Sequence, residues 1–219
     1  MTISDWIQVS IGVIALLVAF IGPLMSEYYK YNFRSPKLKI DFKHSNPFCH
    51  KTVTTKSYQV YYFRFAVKNE GKVAAEDCTV FLEGISKKDS SGEYIEERVF
   101  TPVVLNWSAK HDSERRALTI QSGNLFFADI GYIVDPSTFH YESIFIGYSP
   151  EDKKQINFVF SGENSLFSQK DCLTPGDYNL KICVYSKNAN PVPLELKLSW
   201  SGQWKENTDE MFQHIVIRR

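Results

Sequence analysis

An apolar stretch without a single ionisable side chain lies near the start of the chain, from Trp6 to Met25. A helix of about 20 residues is roughly 30 Å long, which matches the thickness of the hydrocarbon core of a bilayer. A chain with this feature is expected to fold as a membrane anchor followed by a separate domain. The sequence therefore predicts a transmembrane helix over residues 1–27, a juxtamembrane linker over 28–36 and one folded domain over 37–219.

A cleaved secretory signal is the alternative interpretation of this stretch. A signal has a positively charged start, a shorter apolar run and small residues around its cleavage site. Here the first charged residue is Asp5, and the run is followed by Ser26-Glu27-Tyr28-Tyr29. We therefore expect an anchor that is not cleaved.

The basic residues near the stretch all lie on its C-terminal side. They are Lys30, Arg34, Lys37, Lys39 and Lys43. Segments that flank a membrane span on the cytoplasmic side carry an excess of Lys and Arg. The pattern predicts a single-pass protein of the cell (inner) membrane, with the N-terminus outside and the C-terminal domain in the cytoplasm.

Small and polar residues repeat on one face of the predicted helix, at steps of three or four. They are Gln8, Gly12, Ala15, Ala19 and Gly22. In lipid, small residues let two helix backbones approach closely, and a Gln side chain can form a hydrogen bond across the contact. The stripe predicts a homo-oligomer through the transmembrane helix, although Gly is also frequent in membrane helices that do not associate.

Charge and composition limit what the folded domain can be. The chain has 25 basic and 25 acidic residues, so no net field attracts nucleic acid, and no nucleic-acid partner is expected. Its 16 Phe and 12 Tyr residues favour sheet over helix. Four irregularly spaced cysteines without a C-x-x-C pair predict free thiols; they are Cys49, Cys78, Cys172 and Cys183.

Alternation of apolar and polar residues recurs along the domain and predicts short strands. In one of them, Tyr61, Phe63, Phe65 and Val67 share a face. The predicted strands cover 37–43, 58–68, 75–82, 94–105, 117–120, 125–134, 143–148, 156–160, 178–185, 194–200 and 212–217. Because turn-forming clusters separate them and no amphipathic helix is evident, we expect a mostly β domain, a two-sheet sandwich rather than a barrel.

One part of this pattern resembles a known family. The run from Phe65 through Lys68-Asn69-Glu70-Gly71 to Gly84 is similar to the strand-turn-strand signature of immunoglobulin-like modules of the CARDB type. The segment Pro175–Val184, a Pro-Gly turn leading into a strand, resembles their late strand. The resemblance implies an immunoglobulin-like β-sandwich, here preceded by one transmembrane helix, and it is shared with uncharacterised bacterial single-pass membrane proteins.

The sequence offers few residues for chemistry. His44, Cys49 and His50 could supply three metal ligands from a predicted loop, but no fourth ligand follows at a familiar spacing. Asp177 with Glu195-Leu196-Lys197 imitates the ligand pattern of a metal-dependent nuclease, yet it also fits the solvent face of an ordinary strand. We therefore predict no catalytic residues, no metal and no cofactor. Arg115 and Arg116 are candidates for binding an anion.

Three functional hypotheses follow. The first is a non-enzymatic, membrane-anchored binding module whose cytoplasmic domain meets an unknown protein or small-molecule partner. The second is a ligand-gated membrane effector, for example in antiviral defence, whose β domain senses a small anionic molecule. The third is a surface-exposed adhesive domain, which requires the opposite topology. A sensor should have a concave basic pocket, and a binding module a flat face or a sheet edge.

Overall fold

The computed structural model describes residues 3–33, 35–54, 57–96, 101–108, 116–137, 156, 158–163 and 172–219. Its helices and strands follow in chain order: α1 (Ile3–Phe33), β1 (Leu38–Asp41), β2 (Cys49–Val53), β3 (Gln59–Asn69), β4 (Ala75–Lys88), β5 (Tyr94–Glu96), β6 (Val103–Leu105), β7 (Ala117–Ile120), β8 (Leu125–Val134), β9 (Phe158–Phe160), β10 (Gly162–Glu163), β11 (Cys172–Leu173), β12 (Gly176–Ser186), β13 (Ala189–Trp200), α2 (Thr208–His214) and β14 (Ile215–Arg218).

Helix α1 stands apart from the sheets. Its segment Ser10–Tyr29 has a mean hydropathy of 1.9 and buries none of its surface in the chain, so it is long and apolar enough to cross a membrane. A signal sequence near an N-terminus can meet the same criterion. The helix runs through Pro23 and ends at Phe33. Much of the segment predicted as a linker, 28–36, is therefore helical, and only a few residues separate α1 from the first strand.

The strands form two antiparallel sheets, which confirms the predicted β-sandwich. The first sheet has the order β1-β3-β8-β9-β11, and β2 also pairs with β3. The second has the order β10-β6-β4-β12-β13-β14. Strand β4 is long enough to pair in succession with β7, β6 and β5 along one side.

Alternation along each strand decides which side chains enter the core. In β13, Leu194, Leu196 and Leu198 are buried and the residues between them are exposed. The indole N–H groups of the two deepest tryptophans have carbonyl partners, since Trp107 donates to Cys78 at 3.0 Å and Trp200 donates to Ile156 at 2.8 Å. Both tryptophans are core residues.

Backbone hydrogen bonds join the two sheets along one edge. The segment after β6 leaves the second sheet and bonds to β8 of the first, where Ser108 N–H donates to Phe127 at 2.8 Å. The segment after β9 crosses in the same way, and Asn106 N–H donates to Ser161 at 2.9 Å. At the opposite edge, the Arg219 guanidinium donates to the Ile40 carbonyl of β1 at 2.9 Å.

The structure corrects three strand predictions. Residues 49–53 form β2, although we expected a loop around Cys49. The predicted strand 94–105 is divided into β5 and β6. At the predicted strand 212–217 the chain is helical as far as His214, because Asn207 caps α2 by accepting hydrogen bonds from Asp209 N and Glu210 N. The predicted strand 143–148 lies outside the described residues.

Candidate binding surfaces

The end of the sandwich next to α1, which we call the base, consists of residues 35–39, 68–77, 121–125 and 186–190. The opposite end, which we call the far end, consists of residues 51–54, 87–95, 135–137, 174–177 and 200–210. The two are separated by the length of β4, which begins at Ala75 and ends at Lys88. Fourteen residues of strand extend over roughly 45 Å.

Asn69 holds the base together from inside. Its side chain is fully buried, and both ends of the amide are used. Its Oδ1 accepts from the backbone N–H groups of Lys37 (3.1 Å) and Gly71 (2.9 Å). Its Nδ2 donates to the carbonyls of Val73 (2.7 Å) and Ile120 (2.9 Å). One side chain thus ties the chain leaving α1 to the β3–β4 and β7–β8 turns.

Gly71 lets the chain leaving α1 pack directly on the β3–β4 turn. A Cβ added to Gly71 would lie 2.5 Å from the Lys37 backbone nitrogen, 2.6 Å from the Ser35 carbonyl oxygen and 2.7 Å from the Pro36 Cα. Pro36 is buried in this contact. The backbone N–H of Glu70 also donates to the Lys37 carbonyl at 2.8 Å. The Asn-Glu-Gly turn that carried the family resemblance therefore fixes the attachment point of α1.

The turns of the base are also joined to each other. Ser122 Oγ donates to the Gly71 carbonyl at 2.7 Å. In the β12–β13 turn, Asn188 accepts from Glu76 N–H at 3.0 Å and donates to the Ala74 carbonyl at 2.9 Å. Because these bonds involve backbone groups of separate turns, the base is a single cross-linked unit.

The far end carries an exposed hairpin made by β4 and β5. Its turn is organised by Asp89, whose carboxylate accepts from Ser91 N (2.9 Å), Ser91 Oγ (2.6 Å) and Glu93 N (3.0 Å). The hydrogen bonds from Ser91, and those from the other turn residues, lower the pKa of the Asp89 carboxyl. After the turn, Tyr94 is 42% exposed and Ile95 is 55% exposed. In the described part of the chain, β5 pairs only with β4.

A short C-terminal segment, Trp204–Glu206, covers the first sheet at the far end, and we call it the far-end cap. Trp204 packs on the buried Tyr61 ring with centroids 5.0 Å apart, and the Tyr61 hydroxyl donates to the Glu206 carbonyl at 3.2 Å. Lys51 pairs with the Glu206 carboxylate, and this pair lowers the pKa of Glu206. The cap therefore depends mainly on side-chain contacts.

Among the described residues, the base and the far end differ in net charge. The base carries Lys37, Lys39, Lys68, Lys72 and Lys187 against Glu70, Glu76 and Asp77. The far end carries Lys51, Lys87, Lys88 and Lys205 against Asp89, Glu93, Asp135, Asp177, Glu206, Asp209 and Glu210. The base is therefore net positive and the far end net negative, a polarity that the neutral overall charge conceals.

The three residues considered as metal ligands from the sequence do not converge. His44 Nδ1 lies 3.7 Å from Cys49 Sγ, but His50 stacks on Tyr62 with centroids 6.2 Å apart. No group of three or more His, Cys, Asp or Glu side chains among the described residues could hold a metal ion. All four cysteines are free thiols, as predicted.

His44 instead joins β14 to the segment after β1. Its Nδ1 accepts from the Ile217 N–H at 3.4 Å, and its ring lies 4.6 Å from that of Phe212. Burial, with a smaller contribution from Arg218, lowers the pKa of His44. Burial also raises the pKa of the neighbouring Cys49 thiol to about 12, so that thiol is protonated at neutral pH. This arrangement is suited to joining β14 to the segment after β1 rather than to nucleophilic chemistry.

The remaining candidates are placed as follows. Arg116 is exposed just before β7, and Arg115 lies outside the described residues. Glu195 and Lys197 alternate with buried leucines on the solvent face of β13, and Glu195 stands opposite Lys181 rather than Asp177. In α1, the stripe Gln8, Gly12, Ala15, Ala19 and Gly22 is exposed. A Cβ on Gly12 or Gly22 would meet no atom within 4 Å, and self-association through this face stays a prediction.

No protein-family model matches the chain, and no curated protein matches it. The resemblance to CARDB-type modules is therefore still a prediction.

Proposed function

We propose that this protein is a non-enzymatic, membrane-anchored interaction module that presents its far end to a partner in the cytoplasm. The observation that carries the proposal is the clamped connection between α1 and the sandwich. A hydrogen bond from Lys37 N–H to Asn69, one from Glu70 N–H to the Lys37 carbonyl and the close packing at Gly71 fix residues 35–37 on the base. A domain joined to its anchor in this way keeps one end towards the bilayer and the other away from it.

The anchor and its orientation rest on α1 and the charges after it. The segment Ser10–Tyr29 supports a membrane span by length and composition. The basic residues Lys30, Arg34, Lys37, Lys39 and Lys43 follow it, which favours a cytoplasmic domain. Tethering confines the domain to the membrane surface, so that a weak contact with a second tethered or membrane-bound partner becomes effective.

The far end supports an interaction with a basic partner. Tyr94 and Ile95 provide exposed apolar area on the end of the sandwich that is net negative, with Lys88 and Lys87 as their cross-strand neighbours. Aromatic residues are enriched at protein interfaces, and complementary charge increases association rates and selects partners. The proposed contact surface is therefore the surface around β5.

Topology is tested with an engineered cysteine at Ser90, an exposed residue of the β4–β5 turn. The chain carries Cys172→Ser, because Cys172 is the half-buried native thiol and the other three are buried. We expect a membrane-impermeant maleimide to label Ser90→Cys only after cells are permeabilised. Labelling of intact cells would place the domain outside and favour the adhesive hypothesis.

Binding is tested with a photo-crosslinking residue at position 90, and with the same residue at position 197 on the outer face of β13 as the control. We expect one discrete crosslinked species from position 90 and none from position 197. The species should disappear when Tyr94→Ser and Ile95→Ser are combined. If crosslinks form equally from both positions, or persist in the double variant, the far end is not the binding surface.

A further inference from the structure

The short chain connection limits how far the base can lie from α1. Phe33 ends the helix and Lys37 is already hydrogen-bonded to Asn69. Four residues of chain reach at most about 14 Å. The apolar segment ends at Tyr29, and Phe33 lies only about 6 Å farther along the helix axis, within the thickness of one headgroup layer.

The lysines of the base are available for contact. Lys37, Lys39, Lys68, Lys72 and Lys187 are all exposed. The ion pairs of Lys39 and Lys68 with Glu70 are 3.7 and 3.6 Å long, and that of Lys187 with Glu76 is 3.9 Å long. Pairs of this length between exposed side chains hold their partners weakly. Within the described part of the chain, Lys37 and Lys72 form no ion pair.

Two exposed apolar side chains lie among these lysines. Leu125 is 46% exposed and is paired across the strands with Lys68. Val73 is 37% exposed and follows Lys72 in the β3–β4 turn. An apolar side chain surrounded by lysines suits the boundary between headgroups and acyl chains. There the apolar side chain can contact the acyl chains and the lysines can contact the headgroups.

From these observations we infer that the base of the sandwich docks on the anionic headgroups of the bilayer that holds α1. The phosphate groups of the lipids bind Lys68, Lys72 and Lys187, and Val73 and Leu125 contact the interface. The inference rests on the proposed membrane span of α1. It adds that the domain is held against the lipid, with the far end directed away from it.

The test uses the full chain with Cys172→Ser in lipid nanodiscs. A fluorescent label is attached to Gln121→Cys, an exposed position in the β7–β8 turn of the base, and the same label on Ser90→Cys at the far end is the control. The nanodiscs contain either phosphatidylcholine alone or a mixture with anionic phosphatidylglycerol, together with a lipid whose headgroup carries a quencher. Quenching then reports how closely each end approaches the headgroups.

We expect stronger quenching at position 121 in anionic nanodiscs than in neutral ones, and a loss of that difference at high salt. Each lysine near an anionic surface should change the docked-to-undocked ratio by about fivefold. Combining Lys68→Gln, Lys72→Gln and Lys187→Gln should therefore abolish the lipid dependence. The matched far-end variant, Lys87→Gln with Lys88→Gln, should leave it unchanged, and position 90 should be quenched little in any nanodisc.

Other outcomes contradict the inference in separable ways. If the chain stays in the nanodiscs but quenching at position 121 is the same in neutral and anionic lipid, docking is wrong and the anchor is retained. If the lysine variants do not change a lipid-dependent signal, the base is not the contact surface. If the chain is not retained by nanodiscs at all, the proposed anchor fails, and the docking inference fails with it.

Discussion

The base and the far end of the sandwich are built on different kinds of contact. At the base, a buried Asn69 and the Gly71 contact join backbone to backbone across separate turns. At the far end, the cap depends on side chains such as Trp204 on Tyr61 and Lys51 with Glu206. Backbone bonds that are shielded from water hold one geometry, whereas exposed side-chain contacts are weak and rearrange easily. The comparison suggests that the base sets orientation and that the far end is free to adapt to a partner.

The largest effect is expected at the base, from Asn69→Ala. The change removes four hydrogen bonds and leaves backbone groups of Lys37, Gly71, Val73 and Ile120 without this partner, and those of Gly71 and Ile120 are buried. We expect the free energy of unfolding of the sandwich to fall by roughly 3–5 kcal/mol. It is measured by urea unfolding of the full chain in detergent micelles, followed by the fluorescence of the buried tryptophans.

Asn188→Ala is the matched control at the same end. Asn188 also binds two backbone groups, but it is exposed, so water can replace it. Its removal should lower the free energy of unfolding by no more than about 1 kcal/mol. Equal losses of unfolding free energy in the two asparagine variants would mean that the buried side chain of Asn69 stabilises the base no more than the exposed side chain of Asn188.

A smaller and local effect is expected at the far end, from Asn207→Ala. Asn207 caps α2 by accepting from Asp209 N at 2.9 Å and Glu210 N at 3.2 Å. Loss of an N-cap destabilises a helix by about 1 kcal/mol, which corresponds to roughly fivefold faster hydrogen exchange. We expect this acceleration in the amides of α2 and none in β3 or β4, and Asn207→Ser, which keeps a capping oxygen, should restore slow exchange. If the amides of the base also accelerate, the two ends are not independent.

The smallest effect concerns pH and the contact between β14 and the segment after β1, where His44 lies. The folded-state pKa of His44 is lowered from 6.5, chiefly by burial, so the unfolded chain takes up a proton first as the pH falls. Stability is therefore complete above about pH 6.5 and decreases below it, towards the folded-state pKa. The loss is below about 1.4 kcal/mol per pH unit, the limit for one proton.

His44→Gln tests this pH dependence, because Gln keeps an acceptor for Ile217 N–H and does not titrate. The variant should unfold with a shallower dependence on pH between about 7.5 and 5. The pKa of His50 is also lowered by burial, so part of the dependence should persist in the variant. An unchanged pH profile would show that His44 does not contribute to it.

Much of the fold could be predicted from local patterns. The alternation in β3, β8 and β13 was sufficient because each strand has one face in the core and one outside it. Strand β2 could not be predicted, since Cys49–Val53 contains little alternation and is ordered by pairing with β3. Helix α2 had a signal that was overlooked, namely Asn207 followed by Asp209 and Glu210.

The candidate surfaces were harder to predict than the fold. The segment that contains Asn69 and Gly71 was identified from its turn residues. Its hydrogen bond with Lys37, which is 32 positions away, could not be identified in the same way. Tyr94 and Ile95 belong to a segment predicted as one continuous strand, and nothing in their sequence indicates that they are exposed at the edge of a hairpin. The separation of charge was also hidden, because the lysines of the base come from three separate parts of the chain.

The sequence by itself determined the apolar helix, the mostly β domain and the free cysteines, because each depends on composition or on spacing within a short segment. Only the tertiary structure decided that residues 35–37 are fixed on the β3–β4 turn, that His44 joins β14 to the segment after β1, and that positive and negative charge collect at opposite ends. The reason is that each of these depends on which distant residues the strand pairing brings together, and local pattern does not encode that choice.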